Sequence, residues 1–132
     1  AMLLGLIWAP SAAAHDCPAY ASQEWTFTGH LVNRIFPGPP DFESLSSGDE
    51  PLTRWYLQLS WPACFAEFRY LDRFQLALNP EEVARYRQFL GKEIRVTGSL
   101  TEGSGAHSTE LVVSVARLDP LRRQDRDGSA SY

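Results

Sequence analysis

The alternation of apolar and polar side chains is clearest in residues 79–119, where a helical period gives way to a strand period. Asn79 can accept the backbone N–H of Glu82, and the Glu82 carboxylate can reach back to the asparagine N–H, as in a capping box. Gly91 tolerates the left-handed conformation in which helices often end. The pattern therefore predicts a capped helix of about three turns before Gly91.

Segments with a period of two lie on both sides of this helix. After it, apolar residues occupy every second position in 94–100 and again in 111–115, separated by a polar, glycine-rich stretch. Before it, the same alternation predicts strands at residues 24–36, 53–60 and 74–78. The predicted order is therefore three strands, one helix and two strands.

The second predicted strand has a strongly aromatic pattern. One of its faces carries Trp55, Leu57, Leu59 and Trp61, and the other carries Tyr56, Gln58 and Ser60. We expect Pro62 to end this strand, because proline has no N–H to donate to a ladder.

This order of elements is that of the OB fold, a five-stranded Greek-key barrel whose helix follows the third strand. Gly29, in the middle of the first strand, would permit the bend that a strongly curved sheet needs. The alternative is an α+β sheet of another topology, because element order alone does not determine strand pairing. We expect an all-β barrel with one helix, in the order β-β-β-α-β-β, over residues 15–118.

The start of the chain is almost wholly apolar and leads into three alanines at 12–14, which are typical of a signal peptidase site. We interpret residues 1–14 as a signal peptide remnant and predict a periplasmic or secreted protein. The alternative is an ordinary core segment, because the basic start of a signal is missing. This stretch is too short to span a bilayer, so no stable membrane insertion is expected after cleavage. Residues 119–132 are expected to form a flexible tail.

The chain contains two cysteines, Cys17 and Cys64. In an exported protein they are expected to form one disulfide; if export is wrong, two buried free thiols are the better interpretation. Two cysteines at this separation do not match the spacing of a zinc site.

Charge and motifs limit the possible functions. The formal net charge is −4, and the densest basic residues alternate with glutamates in 81–95, which argues against a nucleic-acid partner. The chain has no Gly-x-Ser-x-Gly, His-Glu-x-x-His or phosphate-loop motif. We therefore predict a non-enzymatic protein with no catalytic residue, no metal and no cofactor.

Residues 37–51 are the least ordinary segment, too long for a simple hairpin and stiffened by prolines. In an OB barrel this loop and the 101–108 loop lie on the ligand side, beside the second and third strands. We therefore predict a mildly acidic and aromatic binding surface. Its six residues are Asp41, Glu43, Asp49, Tyr56, Gln58 and His107. Alternatively, the long loop only packs across the barrel mouth and His107 caps a turn.

Several motifs give the chain a resemblance to a known family. They are FPGPPDFES at 36–44, GDEP at 48–51, WYLQL at 55–59, PAC at 62–64, LGK at 90–92, VTGSL at 96–100, and His107 with Thr109. With them the chain resembles a family of small exported bacterial domains of unknown function, for which the resemblance implies an OB-like fold. The family often has a run of histidines before its last strand, whereas only His107 is present here, which weakens a metal site.

The sequence-based hypothesis is an exported binding module of the bacterial cell envelope that binds a glycan, a peptide or a protein through the 37–51 and 101–108 loops. An inhibitor or immunity-like partner of a secreted enzyme is the first alternative. The second is a hydrolase that uses Asp41, Glu43 or Asp49 with His107.

Overall fold

The computed structural model describes residues 17–105 and 108–122 and contains a closed five-stranded barrel. The strands are β1 (Trp25–Pro37), β2 (Pro51–Cys64), β3 (Tyr70–Ala77), β4 (Glu93–Glu102) and β5 (Leu111–Pro120). The helix α1 (Pro80–Tyr86) lies between β3 and β4 and continues into a 3₁₀ turn, Arg87–Phe89. The predicted order β-β-β-α-β-β is confirmed. The predicted signal remnant 1–14 and most of the predicted tail lie outside the described residues.

The strands follow the order β1-β2-β3-β5-β4 around the barrel. β1 pairs with both β2 and β4, and the β3–β5 pair is parallel while the other neighbours are antiparallel. This pairing is the Greek-key arrangement of the OB fold, so the barrel rather than another α+β topology is the correct prediction.

Gly29 lies where β1 passes from one partner to the other, opposite Leu59 of β2 and Ile94 of β4. A Cβ atom at this position would overlap the backbone carbonyl of Gln58. The close approach of two backbones therefore requires glycine here.

The barrel interior is filled by the inward-facing side chains of all five strands. Phe74 is fully buried and packs against Phe27 and Phe65, with ring centroids 4.8 and 5.9 Å away. Tyr86 of α1 is also buried in this core. Burial of such aromatic side chains is a main source of stability in a domain of this size.

The start of α1 has the predicted capping box. Asn79 Oδ1 accepts the Glu82 N–H at 2.8 Å, and Glu82 Oε1 accepts the Asn79 N–H at 3.0 Å. Gly91 has a φ of +81° after the 3₁₀ turn. Both ends of the helical segment are therefore determined by local side-chain and backbone chemistry.

Two expectations for β2 are wrong. The strand does not stop before Pro62 but continues to Cys64, because the β2–β3 register shifts between Gln58 and Ala63. A shifted segment accommodates a proline without losing a regular ladder bond. The same shift breaks the face alternation, so Trp61 is 81% exposed instead of joining the buried Trp55.

A disulfide joins Cys17 to Cys64, with their Cα atoms 5.4 Å apart, which confirms the predicted bond. The Ala66 N–H also donates to the Pro18 carbonyl at 3.0 Å. The start of the described chain is thereby fixed to the end of β2. Within the described ranges, no helix has the length and apolarity needed to cross a bilayer.

Candidate functional site

The 37–51 loop has a defined conformation built from its own hydrogen bonds. Gly38 donates to the Glu50 carbonyl and Glu50 donates to the Pro39 carbonyl, both at 2.7 Å. A 3₁₀ turn, Leu45–Ser47, follows, and Gly48 has a φ of +100°. The loop is therefore a structured extension of the β1–β2 hairpin.

Asp49 is the centre of this loop and is only 5% exposed. Its Oδ2 accepts the N–H groups of Glu43 and Ser44 at 2.8 and 3.0 Å, and its Oδ1 accepts the Asp41 N–H at 3.1 Å. The N–H groups of Ser44 and Glu43 hold the pKa of Asp49 below its ordinary value, against the opposing effect of burial. Both oxygens of this carboxylate are thus engaged in holding the loop, while the side chains of Asp41 and Glu43 are exposed.

The loop lies at one end of the β1–β2 ladder and Gln58 lies towards the other. Pro37 pairs with Pro51 next to the loop, whereas Gln58 pairs with His30, further down the ladder. The segment from Pro51 to Gln58 corresponds to about 23 Å of extended strand. The structure therefore does not place Asp41, Glu43 and Asp49 beside Gln58.

Cross-strand pairs define a polar outer face on β1, β2 and β3. Directly opposite residues share one side of a sheet, and the alternating residues Leu31, Leu57 and Phe74 are buried in the core. The outward rows are His30–Gln58–Arg73, Val32–Tyr56–Gln75 and Arg34–Arg54. We call these eight positions the outer face.

Tyr56 is the floor of the outer face rather than an exposed contact. It is only 2% exposed, and the Arg73 guanidinium carbon lies 5.0 Å from its ring centroid. A cation over an aromatic face is an attractive arrangement that also shields the ring from solvent. Gln58 is exposed, and its Nε2 donates to the Asp72 carbonyl at 3.1 Å.

A hollow of about 400 Å³ lies between β3 and the loop that precedes β5; we call it the β3–β5 hollow. Its polar or aromatic lining includes Gln58, Tyr70, Asp72, Arg73, Thr109 and Glu110. The structure thus brings Gln58 together with the end of the 101–110 segment. His107, the predicted site residue of this loop, lies outside the described residues.

Thr109 is a residue of this hollow that sequence reasoning did not assign to the site. Its buried hydroxyl accepts the Gln75 N–H at 2.7 Å and donates to the Leu111 carbonyl at 2.6 Å. It therefore fastens the loop before β5 to β3. Neither hydrogen bond can be predicted from residue spacing. The signal in the sequence was that Thr109 belongs to the motifs on which the family resemblance is based.

A second hollow, of about 480 Å³, opens where β2 and β3 separate beyond the Tyr56–Gln75 pair; we call it the β2–β3 cleft. Arg54 and Trp55 form one wall, and Gln75, Ala77 and Leu78 are among the residues of the other. Arg54 Nε and Gln75 Oε1 are buried and have no hydrogen-bond partner in the part of the chain that the structure describes. Buried polar atoms are normally paired, so these two mark an unusual position.

Among the described residues, the side chains of the types that can bind metals lie apart from one another. Over residues 17–105 and 108–122, no three His, Cys, Asp or Glu side chains come together in a way that could hold an ion. The outer face instead carries Arg34, Arg54 and Arg73, which attract negative charge. It also carries Gln58 and Gln75, whose amide groups can form hydrogen bonds.

The fold and the two hollows together define a small disulfide-linked OB-type barrel with a polar outer face. Residues 73–119, from β3 to β5, match the family model described as "Domain of unknown function (DUF4431)". This match confirms the resemblance to a family of domains of unknown function over that stretch, which includes α1; the motifs before Arg73 lie outside it. No curated protein and no solved structure matches the chain.

Proposed function

We propose that the protein is an exported, non-enzymatic binding module of the bacterial cell envelope, and that its ligand is a glycan, a peptide or a protein. The observation that carries this proposal is the β3–β5 hollow, which lies on the side where OB barrels take their ligands. The Cys17–Cys64 disulfide supports export, because such bonds persist in oxidising compartments.

The chemistry of the hollow favours a ligand rich in hydroxyl or amide groups. Tyr70 is 71% exposed at its rim and offers an aromatic surface. Gln58, Asp72 and Glu110 supply amide and carboxylate groups around it. A few convergent polar groups beside an aromatic ring are typical of sites that fix the orientation of a polar ligand.

The test is a binding screen against immobilised oligosaccharides and peptides with two site variants, Gln58→Ala and Tyr70→Ala. We expect each to weaken binding at least about fivefold, which corresponds to the loss of one good contact.

Matched controls exist on the helical segment. Gln88 is exposed and, like Gln58, donates its Nε2 to a backbone carbonyl, that of Arg85 at 2.9 Å. Leu90 is an exposed apolar residue comparable to Tyr70. Gln88→Ala and Leu90→Ala should bind as the unmodified protein does, and equal binding by all four variants would remove this site.

A second candidate function is an inhibitor-like partner of a secreted enzyme. The observation in its favour is the exposure of two apolar side chains, Phe42 and Leu45, on the loop that Asp49 holds in place. A rigid loop with exposed apolar residues can enter the cleft of a partner at low entropic cost. Phe42→Ser would abolish inhibition by this route and leave binding at the β3–β5 hollow unchanged.

A further inference from the structure

The β2–β3 cleft contains an unpaired donor and an unpaired acceptor. Arg54 Nε has an N–H to donate and Gln75 Oε1 has lone pairs to accept, and neither has a partner among residues 17–105 and 108–122. A buried polar atom without a partner destabilises the folded protein, because it has lost its hydrogen bonds to water. An occupant that supplies one acceptor and one donor would remove both destabilising effects.

Arg54 is the cationic residue in the lining of this cleft, and Glu82, whose Oε1 accepts the Asn79 N–H, is the acidic one. Arg34 and Arg54 lie directly opposite each other in the β1–β2 ladder, and Arg73 lies on the same outer face. Like charges directly opposite each other destabilise a sheet. None of these three side chains is within 4.0 Å of a carboxylate oxygen among the described residues, where the salt bridge found is Arg117–Asp119. A cationic group of this kind, in a chain of net charge −4, is suited to an anionic occupant.

We propose that the β2–β3 cleft binds the carboxylate of an acidic sugar, such as a uronic acid within a glycan. The carboxylate accepts from Arg54 and is attracted by Arg34, while a ring hydroxyl donates to Gln75 Oε1. The cleft volume of about 480 Å³ lies in the range of small-molecule sites. This inference rests on the proposed function and names the ligand class of the same outer face.

The neighbouring β3–β5 hollow can hold the next sugar of the glycan. Arg73 lines that hollow and lies one row from Gln75, which lines the cleft. A glycan that crosses Arg73 can therefore occupy both the cleft and the hollow. Asp72 and Glu110 would repel a second anion there but can accept hydroxyl groups. The favoured ligand therefore has an acidic sugar next to a neutral one.

The same observations argue against a nucleic-acid ligand. A nucleic-acid strand carries a phosphate at every nucleotide, and Asp72 and Glu110 would oppose that regular charge.

The test is titration calorimetry with a tetrasaccharide that alternates glucuronic acid and N-acetylglucosamine. The comparison ligand is the same tetrasaccharide with its carboxyl groups reduced to alcohols. We expect the acidic form to bind at least about tenfold more tightly, and Arg54→Gln to remove that preference, because hydrogen bonds to charged groups are strong. Arg34→Gln, at an exposed position, should lower the affinity as well and covers the case in which Arg54→Gln does not fold.

Arg85→Gln is the matched control. The Arg85 guanidinium lies 5.5 Å from the Tyr86 ring centroid, as the Arg34 guanidinium does from that of Phe36, but Arg85 is on α1. It should leave the titration unchanged. This inference would be overturned, and the proposed function would stand, if the acidic and reduced tetrasaccharides bound equally well and only Gln58→Ala weakened their binding. Absence of binding by both forms, or tighter binding of hexaglutamate or of a thymidine hexanucleotide, would also overturn it.

Discussion

Asp49 illustrates how one side chain can organise a long connection. Its carboxylate accepts three backbone N–H groups, from Asp41, Glu43 and Ser44, within a single loop. Amide donors that converge on a nearly buried anion stabilise its ionised form, and the pKa of Asp49 is accordingly lowered. The conformation of the 37–51 loop therefore depends on the charge of this residue.

That dependence predicts a loss of stability in acid. The pKa of an aspartate carboxyl in an unfolded chain is about 3.9. The pKa of Asp49 in the folded protein is lower. The stabilisation is therefore complete above pH ~3.9 and disappears as the pH falls through the folded pKa. Asp49→Asn should lower the urea midpoint at pH 7 and flatten the pH dependence below about pH 4. Asp41→Asn, in the same loop but exposed, is the control, and an identical acid response in both variants would contradict this role.

Gly29 provides a second test on a single residue. A Cβ at this position would overlap the Gln58 carbonyl, which belongs to the backbone and cannot rotate away. Gly29→Ala should therefore destabilise the barrel by about 1–3 kcal/mol, the usual cost of overpacking. Thr28→Ala, one residue earlier in β1, serves as the reference in denaturant unfolding. Equal midpoints for the two variants would show that β1 and β2 can separate slightly without cost.

The helix and β2 differ in how far local signals determine them. The ends of the helical segment 80–89 were predictable because Asn79, Glu82 and Gly91 act on neighbouring residues of the chain. The path of β2 past Pro62 was not, because it depends on a register shift against β3. Neighbouring residues determine where an element ends only if pairing with a distant strand does not extend or shorten it.

The capping box makes a measurable contribution to this element. Asn79→Ala removes the acceptor of the Glu82 N–H and should lower the free energy of unfolding by about 1 kcal/mol. Asn79→Asp keeps an acceptor oxygen and should retain most of the stability. Guanidinium unfolding of the three proteins distinguishes the effects, and a cost in the aspartate variant equal to that in the alanine variant would argue against the cap.

At the scale of the whole molecule, the outer face is a product of strand register. Arg34, Arg54 and Arg73 lie on three successive strands, and the register between these strands places them on one side of the sheet. The cleft beside them exists because β2 and β3 separate beyond Gln75. A binding surface of this kind has no signature in any single segment.

The disulfide is the second feature of the whole molecule, since it joins residues 47 positions apart. In the chain-entropy model, closing such a loop contributes about 4 kcal/mol. The double variant Cys17→Ser/Cys64→Ser should lose about that much in the free energy of unfolding. Unmodified protein treated with a reducing agent should behave like the variant. A loss below about 1 kcal/mol in the variant would mean that the barrel alone constrains the N-terminal segment.

The sequence by itself determined the order of elements, the helix cap and the cysteine pair, because periodicity, capping and thiol chemistry are properties of short segments or of residue types. It also indicated that Gln58 and the loop before β5 belong near a ligand side, through the fold that this order implies. Only the tertiary structure decided that Tyr56 is covered by Arg73 and that Asp49 is engaged within its own loop. Register and packing between distant strands decide which side chains remain available, and no local pattern encodes them.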